Sequence, residues 1–115
     1  MTNMSKRNPE FAPLFETPYY AVIFASSRTP DDRGYEATAN RMLELAAEQD
    51  GFLGVESTRG GDGFGITVSY WRTKGAIAIW RSQMEHVMAQ EMGKQNWYEH
   101  YVTRVACVER DYEKS

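Results

Sequence analysis

The sequence predicts a single α+β domain in which two helices cover one face of a four-stranded antiparallel sheet. Its 115 residues are 42% apolar and 25% charged, which is typical of one globular domain. Four stretches rich in β-branched and aromatic residues predict strands, and two stretches with apolar residues at every third or fourth position predict helices. The elements follow one another as strand, helix, strand, strand, helix, strand.

An irregular arm is predicted for residues 1–18, which contain three of the four prolines, and the domain itself for residues 19–115. The arm carries three large apolar side chains, Phe11, Leu14 and Phe15. Because contiguous apolar groups rarely stay in water, we expect these three to dock the arm onto the domain.

The first strand is predicted over Tyr19–Ser26, where aromatic and β-branched residues predominate. Thr29 and Pro30 then predict the start of a helix, because threonine caps helix N-termini and proline fits the first helical position. Apolar residues recur at helical spacing as far as Ala46, and Gly51 predicts a left-handed end to this helix.

Two strands, Phe52–Arg59 and Phe64–Trp71, flank the run Gly60–Gly63, so the glycines predict a hairpin turn. A phosphate-binding loop is the other meaning of a glycine run. Such a loop follows a strand and opens a helix, whereas this one leads into a second strand. The hairpin is therefore the favoured interpretation.

The second helix is predicted to begin after Thr73 and to carry an apolar stripe through Trp80 and the methionines that follow. We expect a break or bend at Ser82–Gln83 and an end at Gly93. The last strand is predicted over Trp97–Glu109. This order of elements is the βαββαβ pattern of ferredoxin-like folds.

Both faces of the outer strands are apolar, which predicts a homodimer. Alternate residues of the first strand form the sets Tyr20, Val22, Phe24 and Tyr19, Ala21, Ile23, Ala25; those of the last form Tyr98, Val102, Ala106, Val108 and Tyr101, Val105, Cys107. Two helices cover only one face, so we expect the sheets of two copies to pack face to face as a dimeric α/β barrel. Cys107 and the methionine stripe are then expected in the core.

Composition excludes several classes of protein. The net charge of −3 argues against a nucleic-acid partner, because phosphate recognition needs clustered lysine and arginine. A single cysteine excludes a disulfide framework and a cysteine-based zinc site. With no run near ~18 apolar residues and no signal-peptide pattern at the N-terminus, we expect a soluble cytoplasmic protein without a membrane partner.

Several segments resemble the antibiotic biosynthesis monooxygenase (ABM) domain: SYWRTKGAIAIW at 69–80, Glu85–His86, GKQNWY at 93–98 and GFLGVE at 51–56. The resemblance spans about residues 19–110 and implies a dimeric α/β barrel with a pocket between the helices and the sheet of each subunit. Some members of this family oxygenate polycyclic phenols or quinols without metal or flavin, others degrade haem, and many have no assigned substrate.

The haem-degrading members place one tryptophan nine residues after another, as Trp71 and Trp80 are placed here. In those members a histidine ten residues later ligates iron, but this chain has Gln90 there; they also use an asparagine where this chain has Ser26–Ser27. His86 lies one helical turn earlier, so it could ligate haem only if the haem bound at a different position. We therefore expect no cofactor, with haem as the disfavoured alternative.

The resemblance favours a cofactor-independent monooxygenase for a small aromatic or quinol-type substrate, which has to exclude water, orient a flat molecule and move a proton. The candidate catalytic residues are Trp80, as a flat wall, and His86, because imidazole exchanges protons near neutral pH. The candidate substrate-binding residues are Tyr20, Phe24 and Tyr70 as walls, and Ser26 and Gln90 as hydrogen-bonding groups.

Other readings of these residues remain open. Trp80 could be a core residue and His86 a surface or interface residue, in which case the chain is a non-catalytic dimeric ligand-binding or stress-related protein. His100 and Arg104 are expected as polar groups at the dimer seam, with Arg104 paired to a carboxylate such as Glu56. Two histidines without a nearby carboxylate pair argue against a metal site built by the protein.

Overall fold

A computed structural model describes residues 11–92 and 96–114, with only the backbone given for residues 88–92. The elements are β1 (Tyr19–Arg28), α1 (Tyr35–Ala47), β2 (Phe52–Arg59), β3 (Phe64–Trp71), α2 (Lys74–Met92) and β4 (Tyr98–Val108). The four strands form one antiparallel sheet in the order β2-β3-β1-β4, which confirms the predicted fold class. Within the described residues no helix is long and apolar enough to cross a membrane.

The first helix begins later than the sequence predicts. Thr29 does not cap it; its hydroxyl donates to the carbonyl of Asn96 and its N–H donates to the carbonyl of Trp97. These bonds hold the end of β1 against the start of β4, so the chain needs a further turn before it becomes helical. Gly34 provides that turn with a φ of 72°, and α1 begins at Tyr35.

The second helix is capped as predicted and runs without a break. The N–H of Ala76 donates to the hydroxyl of Thr73 over 3.0 Å. The expected bend at Ser82–Gln83 is wrong, because α2 continues through both residues. The Gln83 side chain instead accepts a 3.0 Å hydrogen bond from the side-chain amide of Gln49, which follows α1. The predicted end of the helix at Gly93 lies outside the described residues.

A register shift in β4 changes which face its aromatic residues occupy. Ser27 pairs with His100 but Arg28 pairs with Tyr98, so one residue of β4 is extra. This bulge turns Tyr98 to the same face of the sheet as Tyr101, where a strict alternation would separate them. The predicted grouping of Tyr98 with Val102 is therefore wrong.

The core lies at one end of the space between the helices and the sheet. We call the sheet face that carries Val22, Phe24 and Trp71 the helix face. Trp71 is fully buried there, and its ring stacks on that of Trp80 from α2 with centroids 6.1 Å apart and planes at 22°. Phe52 meets the edge of Trp71 at 5.4 Å. This end of α2 is thereby fastened to the sheet.

The opposite face of the sheet, which carries Tyr19, Ile23 and Ile66, is called the open face. Residues 11–18 of the arm cross one end of this face, where Ala12 and Phe15 lie beside Gly54 of β2. The predicted docking holds for Phe15, whose ring packs edge-on against Tyr19 at 5.5 Å. Phe11 and Leu14 do not dock in this way, because their side chains are 64% and 40% exposed.

Two carboxylates hold the arm through its backbone. Glu56 accepts the N–H of Ala12 over 2.9 Å, and Asp111 accepts the N–H of Phe15 over 3.1 Å and the Tyr19 hydroxyl over 2.6 Å. Burial, followed by the contact with Asp111, raises the pKa of Tyr19 to about 12. The same hydrogen bonds hold the pKa of Asp111 below its ordinary value.

The structure bears on two expectations about the last strand, of which the one for Cys107 is wrong within one chain. Within one chain Arg104 and Glu56 lie on opposite edges of the sheet, so their expected pairing at a dimer seam stays a prediction. Cys107, expected in the core, is exposed, since it lies on the edge strand beyond the cover of the helices.

Replacing Gly51 by alanine is expected to destabilise the fold by about 1–2 kcal/mol or more. Gly51 has a φ of 88°, and an added Cβ would lie 2.9 Å from the Cβ of Ala76. Gly61→Ala is the matched control, because nothing lies within 4 Å of an added Cβ there. Urea unfolding should show this loss of unfolding free energy for Gly51→Ala. For Gly61→Ala the unfolding free energy should change by no more than about 0.5 kcal/mol. Equal midpoints would contradict the strain at Gly51.

Acidification is expected to release the arm. Because folding lowers the pKa of Asp111, this carboxylate stabilises the docked arm fully above its ordinary value of 3.8 and loses that effect as the pH falls through the lowered value. The protection factor of the Phe15 amide, measured by hydrogen exchange at about pH 6 and about pH 3, should therefore drop at acid pH.

Asp111→Asn should lower the protection factor of the Phe15 amide at about pH 6. It should also remove most of the difference between the protection factors at about pH 6 and about pH 3. Asp31→Asn is the control, since Arg33 lowers the pKa of Asp31 to about 2 at a site that does not touch the arm. An unchanged Phe15 protection factor in Asp111→Asn would show that this carboxylate does not hold the arm.

Candidate functional site

A cavity of about 1260 Å³ lies between the helix face of the sheet and the two helices. The sheet residues that line it include Val22, Phe24, Phe52, Val55, Ser57, Arg59, Thr67, Ser69, Tyr98, Tyr101, Thr103 and Val105. The helix residues include Tyr35, Ala39, Met42, Ala46, Ile77, Trp80, Met84 and Glu85. The volume suits a small polycyclic molecule, and apolar side chains predominate in the walls.

Aromatic rings form the walls at both ends of the cavity. Trp80, backed by the buried Trp71, stands at the end nearest the core. Phe24 lies towards the other end, with its centroid 5.5 Å from that of Tyr98 and 5.4 Å from that of Tyr101. Tyr101 is 47% exposed on the edge strand, so the cavity opens to solvent beside β4.

The end of the cavity next to Tyr98 is polar and positively charged. Arg59 reaches it from the end of β2 and donates to the hydroxyl of Ser26 over 2.8 Å and to the carbonyl of Ser26 over 3.2 Å. Arg28 stands nearby, with its guanidinium carbon 3.4 Å from the ring centroid of Tyr35. Burial raises the pKa of Tyr98 and both cations act against that rise, so they favour negative charge on whatever occupies this end.

The Tyr98 hydroxyl is a proton donor at this end. It donates to the Tyr35 hydroxyl over 3.4 Å. Burial first, and then the contact with Tyr35, raise the pKa of Tyr98 well above its ordinary value of 10.0, although Arg59 and Arg28 oppose the rise. Tyr98 is therefore neutral at physiological pH, so it can donate a hydrogen bond but cannot serve as a base.

Hydroxyl groups lie along the sheet side of the cavity. Ser57 and Thr67 face each other across β2 and β3, with 2.9 Å between their oxygens. Ser69 accepts the indole N–H of Trp71 over 2.9 Å. Since the Ser57–Thr67 bond uses one hydroxyl proton, the other hydroxyl keeps a proton that it can offer to a ligand carbonyl.

Of the candidates predicted from the sequence, the structure brings Trp80 and Phe24 to the cavity. Tyr20 shares the helix face but packs against the core cluster beside Trp71. Ser26 is only 2% exposed and lies behind Arg59, so it holds that side chain and does not itself line the cavity.

Tyr70 lies on the open face and not in the cavity. Its hydroxyl donates to Glu56 over 2.5 Å, and its ring meets that of Tyr19 edge-on at 5.9 Å. Burial, followed by the contact with Glu56, raises the pKa of Tyr70. The alternation of β3 turns this side chain away from the helices, so the prediction that Tyr70 forms a wall of the cavity is wrong within one chain.

His86 is exposed on α2 and is not among the residues that line the cavity. Gln90 falls where the structure describes only the backbone, so its expected role lies outside the described residues. His100 is exposed on β4. Glu85 does line the cavity and pairs with Arg81 over 3.5 Å. In the described residues no three His, Cys, Asp or Glu side chains lie close enough together to hold a metal ion.

Three residues of this site, Arg59, Tyr98 and Tyr101, are not among the candidates predicted from the sequence. Arg59 had a usable signal, because it follows Val55 and Ser57 at the two-residue period of one strand face. Tyr98 had none, since only the bulge in β4 turns it to the helices.

The sequence is similar to two curated proteins. It is 58% identical over 95 residues to the uncharacterised protein YqjZ of Bacillus subtilis, and the match covers 83% of each chain. It is 32% identical over 94 residues to the jasmonate monooxygenase ABM of Pyricularia oryzae, a match that covers 77% of this chain but 43% of that longer protein. No protein-family model matches the sequence.

The fold is similar to that of SnoaB from Streptomyces nogalater, described as a cofactor-independent oxygenase. A point mutant of SnoaB superposes with a TM-score of 0.70 at 10% sequence identity, covering 85% of this chain and all of SnoaB. At that identity the likeness concerns the fold alone. The same arrangement of sheet and helices therefore occurs in a protein with oxygenase chemistry.

Proposed function

The chain belongs to the antibiotic biosynthesis monooxygenase (ABM) domain family, and from this premise we propose that it is a cofactor-independent monooxygenase for a small aromatic or quinol-type molecule. The observation that carries the proposal is the cavity of about 1260 Å³ with Trp80 and Phe24 in its walls and Arg59 at its polar end. A flat, electron-rich substrate fits such walls, and the cation suits the anion that this chemistry requires.

The proposed reaction needs neither metal nor flavin because the substrate supplies all the electrons. In an anthrone-type substrate, the CH₂ group across the central ring from the carbonyl loses a proton to form the conjugated enolate. The enolate transfers an electron to O₂, and the proton is returned to the peroxide that forms in the next step. Combination of the two radicals gives a peroxide, and loss of water leaves a carbonyl. One O₂ is consumed, one oxygen atom enters the product and the other leaves as water.

The protein contributes aromatic walls, an apolar environment and a positive charge. Trp80 and Phe24 hold the ring system flat, which raises the fraction of encounters with a productive orientation. The bound ring system displaces water from the apolar lining and so limits its access to the enolate and the peroxide. We assign no step to His86, because its exposed side chain does not line the cavity.

The two similar proteins whose activities are described support this proposal. SnoaB is described as a cofactor-independent oxygenase and the Pyricularia oryzae protein as a monooxygenase acting on jasmonate. Haem degradation is not proposed, because it needs an iron ligand and neither His86 nor His100 lines the cavity. A dimeric binding protein without activity remains the competing function, and oxygen consumption separates the two.

Oxygen uptake with a panel of anthrones and hydroquinones tests the proposal. We expect the wild-type protein to accelerate uptake over buffer without added reductant. Phe24→Ala, which removes a wall, and Trp80→Phe, which keeps an aromatic core, should each lower kcat/KM by about tenfold or more. Ile79→Ala is the matched control, since Ile79 is 60% exposed on the outer side of α2.

His86→Ala should retain the wild-type rate. A large loss of oxygen uptake in this variant would identify the imidazole as the proton carrier. It would contradict our conclusion that His86 takes no part in the reaction. Uptake equal to that of buffer across the panel would leave only the binding protein for these substrates.

We also propose that the active form is a homodimer joined through the open face. Phe64 and Ile66 are 49% and 37% exposed there, beside Val68, Ile23 and Ala25. The arm packs on Tyr19 at one end of this face but leaves the apolar patch at the other end exposed. A second copy buries it most economically, because the same patch is then paired with itself.

Replacing Ile66 by aspartate should dissociate the dimer, because the charge would be buried without a partner. Ile79→Asp is the control on the outer side of α2 and should leave the dimer intact. Sedimentation velocity distinguishes the two masses. A wild-type protein that sediments as a single chain would refute the dimer.

A further inference from the structure

Arg59 joins the sheet to the polar end of the cavity. It is half-buried at the end of β2 and lines the cavity, while its guanidinium binds the end of β1 and the hairpin turn. Nη1 donates to the carbonyls of Ser26 and Gly63, and Nη2 donates to the Ser26 hydroxyl. Three acceptors therefore hold the side chain in one place.

These contacts leave one edge of the guanidinium unused. A guanidinium has five N–H donors, and the three contacts occupy both protons of Nη1 and one of Nη2. The Nε–H and the second Nη2–H lie side by side, and neither has a hydrogen-bond partner among the residues that the structure describes. Two parallel N–H groups on one edge match the two oxygens of a carboxylate.

The charge of Arg59 is also uncompensated. Across residues 11–92 and 96–114, no carboxylate oxygen lies within 4.0 Å of Arg59 or of Arg28. The nearby Asp31 carboxylate is bound by Arg33 at 3.1 Å, and Arg28 donates to the backbone carbonyl of Asp31 rather than to its carboxylate. A half-buried cation without an anion costs free energy that an anionic ligand would recover.

We propose that Arg59 binds an anionic oxygen of the substrate through its free Nε–Nη2 edge, so that the substrate is a flat apolar molecule with a carboxylate or an ionised hydroxyl at one end. The inference rests on the proposed function of the cavity and adds the substrate class. The ring system lies between Trp80 and Phe24, and the anionic end lies next to Arg59 and the neutral Tyr98 hydroxyl.

Binding of two probes of equal shape tests this assignment without any turnover. 2-Naphthoate is an anion at neutral pH and 2-naphthamide is its neutral counterpart. We expect calorimetry to show naphthoate binding about tenfold more tightly to the wild-type protein, as one charge-assisted contact would give. Added salt should weaken naphthoate binding and leave naphthamide binding unchanged.

The ratio of the two dissociation constants separates charge recognition from damage to the cavity. In Arg59→Gln the ratio should fall to about one, whereas a merely misshapen cavity would lose both ligands together and keep the ratio. Arg59→Lys should keep a reduced preference, because it retains the charge without the paired donors, and it replaces Arg59→Gln if that variant does not fold. Arg41→Gln, an exposed arginine of α1 paired with Glu44 outside the cavity, should keep the wild-type ratio.

2-Naphthol distinguishes the two sources of the anion, because its ionised form absorbs at longer wavelength. Appearance of that band on binding, at a pH where free naphthol is neutral, would assign the ionised hydroxyl as well as the carboxylate. Naphthoate preference without the band would assign the carboxylate alone.

Equal affinity of the wild-type protein for naphthoate and naphthamide would overturn the role of Arg59 and leave the oxygenase proposal standing. A tenfold ratio that persists in Arg59→Gln would overturn it too. Failure of both probes to bind would overturn the role of Arg59 and leave the oxygenase proposal to the oxygen-uptake assay, whereas a charge preference without oxygen uptake would refute the oxygenase activity alone.

Discussion

The stacked indoles of Trp71 and Trp80 are the contact on which the remaining structure depends. Trp71 is fully buried in the sheet, and Trp80 fastens α2 to it with the ring centroids 6.1 Å apart. At the far end Tyr35 of α1 meets the rings of Trp97 and Tyr98 edge-on, at 5.8 and 5.9 Å. Helices supported by large rings at both ends stand off the strands between them. The cavity is the space that these two supports leave open.

Arg59 stabilises the sheet and also places a positive charge at the cavity. Its contacts with Ser26 and Gly63 close the end of the β2–β3 hairpin against β1, and this structural task fixes a cation at the cavity. A flexible lysine would satisfy the charge but not these three acceptors in one plane. One side chain therefore stabilises the hairpin and orients the electrostatics of the site, so its loss affects both.

The two faces of the sheet are buried by different means. The helices cover the helix face, while the arm covers part of the open face and is held by Glu56 and Asp111 through backbone N–H groups. Carboxylates suit this task because each accepts several donors at once, as Asp111 does from Phe15 and Tyr19. What the arm leaves bare is apolar, and the proposed dimer would bury it.

The amino-acid sequence by itself determined the elements whose signals are local. The hairpin strands, the Thr73 cap and the places of Phe24 and Trp80 follow from alternation, turn residues and helical spacing within a few positions. Tertiary structure alone decided the late start of α1, where Thr29 binds Asn96 from 67 positions away, and the bulge that turns Tyr98 inwards. It also decided which edge of Arg59 is free. Contacts between distant segments set all three, and no local pattern carries that information.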